Sequence, residues 1–156
     1  MHGKRTASDP YHDTFLRTTM NSIYAYQKFI DAQHTVEIVL PIDPATNQRI
    51  GIELATVGAI TYVSVPAGQS LPDQPAEINP QLLTDVPASL ISLISDASPH
   101  VRMIRSMVKE KIATHYSVED EIKLLRTAPS EEFDIYNAFV EDARAWGRTE
   151  RAKLGL

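Results

Sequence analysis

The sequence predicts an α+β fold, and three observations carry that expectation. A stretch rich in Val, Ile and Thr, "TVEIVLPIDPATNQRIGIELATVGAITYVSVP", has the composition of β-strands broken by turns. Helical periodicity flanks it on both sides. Three openings, "SDPYHD", "INPQLL" and "ASPHVR", place Asp, Asn or Ser directly before Pro, which caps the first free amides and fills the first helical position. The resulting layout is an N-terminal arm and helix (1–33), a short antiparallel β-meander (34–66), a Pro-rich connector (67–78) and a C-terminal small helical bundle (79–156).

Taken in order, the first helix is expected from about Asp9 to Ala32. Leu16, Met20, Ile23, Gln27 and Ile30 recur at intervals of three and four, and Phe15, Tyr24, Tyr26 and Phe29 widen the apolar surface. These aromatics suit either a core stripe or a partner-binding face. The arm ahead of them is polar and is expected to act in assembly. Strands are expected near Val36 to Leu40, Arg49 to Ala55 and Ile60 to Val65, with "DPATNQ" and "VGA" as turns. Asp43 and Asn47 offer oxygens, but the ligand ladder and terminal Glu of a calcium loop are absent. Prolines 66, 72 and 75 then block helix and central strand alike, leaving an extended connector on the surface.

The remaining chain reads as helices starting near Asn79 and Ser98. Val101, Ile104, Val108, Ile112 and His115 line one face of the second. Ser117 with Asp120 forms a capping box in which Asp replaces the usual Glu or Gln, and Val118, Ile122 and Leu125 make the apolar side of the helix it starts. Pro129 stops that helix by disfavouring a helical Ala128. The last helix opens with Glu131 and Glu132 and carries Phe133, Tyr136, Val140 and Ala143. On it Phe139 and Ala143 share a side with Trp146, the only tryptophan, and Tyr136, Val140, Ala143 and Gly147 form an adjoining stripe. Together they exceed what one packing partner covers, so part of the face is expected to be free for contact. Arg144 and Arg148 flank Trp146, and Trp with Arg is a pairing enriched at interface hot spots.

Composition excludes several function classes. The 156 residues lack Cys, which removes disulfides, thiolate zinc sites and a cysteine nucleophile together. Histidines 2, 12, 34, 100 and 115 form no metal-binding motif, and no nucleophile elbow or phosphate loop is present. Carboxylate pairs are numerous but fall in helix first turns or on polar faces. No catalytic residue, metal ligand or cofactor is therefore assigned, and the chain reads as a non-enzyme. Net charge is −5; residues 1–60 carry five Lys/Arg against six Asp/Glu, leaving ten against fourteen of the totals of 15 and 20 for residues 61–156. Neither part has the basic balance that phosphate neutralisation needs, and "SVEDEIKLL" leads with acids where a DNA-reading helix would meet bases. No apolar run approaches the roughly 18 residues of a membrane span, and the first ten residues lack a signal peptide's apolar stretch.

From about Ile60 onward, "TYVSVPAGQSLPDQPAEI", "SPHVRMIRSMVKEKIATHYSVEDEIKLLR" and "FVEDARAWGRTERAKLGL" resemble a group of small tailed-bacteriophage proteins from tail or virion-assembly modules. In that group a "YV.VP.G" strand leads into helices ending "VE..R.WGR…LGL". The strand lies near the start of those chains, whereas here an arm, a helix and a hairpin precede it. The resemblance covers about residues 60–156 and transfers no catalytic or binding residue. It implies a structural virion protein of the tail, neck or baseplate, made in the bacterial host cytoplasm and assembled with other virion proteins in oligomeric form; the charge balance and the lack of an apolar span add the expectation of no direct sequence-specific nucleic-acid binding and no membrane. The alternative it leaves open is a tail or tail-fibre assembly chaperone absent from the mature particle.

Overall fold

The computed structural model describes residues 21–156 and is an α+β fold with one four-stranded antiparallel sheet and four helices. The strands are β1 (Ser22–Tyr26), β2 (Ile52–Val57), β3 (Ile60–Val65) and β4 (Gln81–Leu83), in the order β2-β3-β1-β4. The helices are α1 (Ala88–Ala97), α2 (Pro99–His115), α3 (Val118–Thr127) and α4 (Glu131–Lys153).

Residues 22–26 correct the expected first helix, since they form an inner strand between β3 and β4. Ile23 and Ala25 point to one side of the sheet while Tyr24 and Tyr26 point to the other, and both sides are covered. Two-sided burial suits an alternating β-branched and aromatic segment better than a helix with one apolar stripe. The portion of that helix before residue 21, including Phe15, Leu16 and Met20, lies outside the described residues, as does the polar arm.

Val36 to Leu40 is a second correction: the meander pairs it with the strand expected at Arg49 to Ala55, but it forms no strand, and β2 pairs with β3 alone. The segment instead crosses the sheet face. Ile38 is buried there, its amide donates to the Tyr26 hydroxyl at 3.3 Å, and the Gln74 side chain bonds both the amide and the carbonyl of Val39 at 2.9 Å. A side chain thus replaces a neighbouring strand in satisfying this backbone. The connector does more than lie on the surface: Leu71 and Ile78 pack with Tyr26, Ile38, Val63 and Val65.

The strand expected at Arg49 to Ala55 is displaced to Ile52–Val57, while β3 has the expected bounds. A bulge between Glu53 and Ala55 shifts the alternation by one residue. Ile52 and Leu54 before it, and Ala55 and Val57 after it, therefore all join one cluster with Ile23, Tyr62 and Ile94. This side is covered by α1 and by Leu154 and Leu156 after α4. Gly155, at φ +79°, makes the left-handed turn that brings Leu156 back, and a Cβ there would stand 3.0 Å from that of Asn21.

Asn79 does not open a helix. Gln81–Leu83 pairs with the free edge of β1, and the helix waits until Ala88, after Pro87. The openings at Ser98 and Ser117 are as expected: the Ser98 hydroxyl accepts from the Val101 amide with Pro99 at the first helical position, and Ser117 and Asp120 bond reciprocally. Ser130 caps α4 by accepting from Phe133.

Candidate docking surface

α2 and α4 pack closely because Gly147 carries no side chain; a Cβ there would come within 2.7 Å of Val108 Cγ2. Val101, Ile104, Val140, Ala143 and Gly147 are buried along these two helices. Of the wide apolar face on α4, Val140, Ala143 and Gly147 turn inward, while Tyr136, Phe139 and Trp146 are half-buried. At the far end His115, Tyr116, Phe133, Tyr136 and Phe139 form an aromatic cluster, with His115 and Phe139 ring centres 4.5 Å apart and Tyr116 edge-on to Tyr136 at 5.0 Å. This cluster ties the end of α2 and Tyr116, just ahead of α3, to α4, and the Tyr136 hydroxyl donates to Glu121 of α3 at 2.9 Å. Burial, then Glu121, raises the Tyr136 pKa.

The stripe of α3 turns outward. Val118, Ile122 and Leu125 are 70%, 46% and 60% exposed, and α3 has no buried residue. The helix instead meets its neighbours through Glu121 and the half-buried Leu124, which lines a groove with His115 and Tyr116. Its conformation is nonetheless firmly set, with the capping box at one end and three acids in the first turn. The Ser117 hydroxyl and then its amide hold the Asp120 carboxyl below its ordinary range. Further exposed apolar side chains are Met103 and Met107 on α2, Leu93 on α1 and Ile135 on α4.

Of the residues that the sequence offered for partner binding, the structure brings few together. Phe15 lies outside the described residues. Tyr26 is buried and Tyr24 packs beside it, so both serve the sheet; burial raises the Tyr26 pKa, against the lowering effect of the Ile38 amide. Phe29 is exposed in the tight turn bridged to Thr35. Phe139 belongs to the aromatic cluster and Trp146 is half-buried. Arg144 and Arg148 are exposed and both reach Glu141, at 2.7 and 4.0 Å. The α3 stripe went unassigned as a contact surface, although Leu124 was its signal: it gives a ten-residue helix a second apolar direction.

A cavity of about 310 Å³ on the sheet face is lined by Tyr26, Ile38, Glu37, Glu53, Arg49 and His100 among others. Its charges answer one another: Lys28 lies 2.8 Å from Glu53 and 3.8 Å from Glu37, and Arg49 lies 4.0 Å from Glu37. The hydrogen bond that Lys28 donates to Glu53 is the main cause of its raised pKa. Among the described residues no cluster of His, Asp and Glu is placed to hold a metal ion, and no helix is long and apolar enough to cross a membrane. No family model, curated protein or solved structure matches this chain.

Proposed function

We propose that this chain is a non-enzymatic structural component of a tailed-phage particle, at the tail, neck or baseplate, working through protein–protein contacts with the outer side of α3 as a principal docking surface. The observation that carries the docking role is the outward stripe of Val118, Ile122 and Leu125 on a helix held by a capping box at its N-terminus. A stable protein gains nothing from presenting a preformed apolar helix face to water, and such faces mark interaction sites. The phage setting rests on the sequence resemblance over residues 60–156. A second exposed apolar pair, Met103 and Met107, suits a component with more than one neighbour. Quantitative mass spectrometry of purified particles tests the reading: a structural component is present at a fixed copy number, whereas absence from mature particles would identify an assembly chaperone instead.

A further inference from the structure

We infer that the occupant of the α3 face is a second copy of this chain, with the two α3 helices packed antiparallel about a two-fold axis close to Ile122. This rests on the docking role proposed above and names its partner. Charge around the stripe selects both the occupant and its direction. Glu119 and Arg126 lie seven residues apart, two turns of helix and about 10 Å, and therefore stand on the same edge of the stripe on either side of Ile122. Both are exposed, and neither is in an ion pair among the described residues.

A two-fold axis perpendicular to the helices lays this edge against its own copy in reverse. Glu119 of one chain then faces Arg126 of the other, and the pairing occurs twice. Such self-complementarity is what an isologous contact requires. A parallel arrangement instead brings the Glu119 edge against the opposite edge, where Glu121 stands at nearly the same height, so carboxylate meets carboxylate. The acidic first turn of α3 and the cations Lys123 and Arg126 toward its other end oppose one another only in the antiparallel arrangement.

Area sets the strength. α3 spans ten residues, about 15 Å, and a pair of helices that short buries less than the roughly 1,600 Å² of a standard stable interface. The isolated contact is thus a weak, concentration-dependent dimer, of the kind that neighbouring contacts reinforce inside a larger assembly.

Sedimentation of the full chain across a concentration series tests this. The expected result is a reversible monomer–dimer equilibrium that Ile122→Glu abolishes without changing the melting temperature. Glu119→Arg and Arg126→Glu each place like charges at both pairs and should weaken self-association roughly tenfold, the scale of a few surface charge pairs. Mixed together, those two single variants should form heterodimers, because each pair then joins opposite charges. Dimers that respond to Ile122→Glu but show no heterodimer preference would overturn the antiparallel pairing. A chain that stays monomeric overturns the second copy as occupant: if Ile122→Glu then still blocks incorporation into particles, the docking role stands with another partner, and if incorporation is normal, both readings fall.

Discussion

Replacing Gly147 with Ala tests the helix packing that leaves α3 its outward side. The added Cβ would sit 2.7 Å from Val108 Cγ2 and 3.8 Å from Ile104 Cγ2. Apolar carbons prefer about 3.5–4.0 Å, so one partner must retreat by about 1 Å. Val108 is poorly able to do so by rotation, since a helical Val has one strongly preferred rotamer. The strain therefore falls on the separation of α2 and α4, and overpacking of this kind costs about 1–3 kcal/mol. Against it stands the helix propensity of Ala, worth about 1 kcal/mol over Gly. The net expectation is destabilisation of up to about 2 kcal/mol, from the difference of these terms. In a Val108→Ala background the clash is gone, so the same replacement should stabilise by up to about 1 kcal/mol. Urea unfolding of the four chains, compared through their midpoints at constant slope, gives the coupling directly. Stabilisation by Gly147→Ala in both backgrounds would refute the close approach.

Three further predictions follow from local geometry. Ser117→Ala removes the α3 cap and should cost about 1 kcal/mol, seen as faster hydrogen exchange confined to the first turn of α3. Because the folded-state pKa of Asp120 lies below its unfolded value near 3.9, its contribution to that turn is present above the unfolded value and lost as pH falls through the folded one; an NMR titration should show this loss, and Asp120→Asn should abolish the pH dependence. Tyr26→Phe leaves the buried Ile38 amide without its partner, and a cost of about 1–3 kcal/mol is expected in denaturant unfolding.

Chain punctuation was legible because it depends on a few neighbouring atoms. Ser98 before Pro99, Ser117 with Asp120, and Pro129 after Thr127 set the helix ends where local chemistry puts them. β3 was legible because its residues favour strands and Pro66 closes it. The misses concern pairing at a distance. Ile23, Gln27 and Ile30 fit a helical spacing, yet β3 on one side and β4 on the other give Ser22–Tyr26 hydrogen bonds along both edges. Asn79 before Pro80 offered a helix start that lost to the open edge of β1. Val36 to Leu40 reads as a strand, but its backbone is served by Tyr26 and Gln74, side chains that no local pattern could nominate. The candidate site divides in the same way. Periodicity located the apolar sides of α3 and α4, but which one faces inward depends on the glycine-mediated contact of α2 with α4.

Incorporation of a chain carrying both Ile122→Glu and Leu125→Glu, measured beside its unfolding midpoint, tests the central claim most directly. The two side chains are 46% and 60% exposed, so a docking surface predicts a nearly unchanged midpoint with incorporation into particles reduced at least tenfold, a loss of about 1.4 kcal/mol or more. A lowered midpoint with normal incorporation would contradict it, and would show the stripe of α3 to be part of the fold.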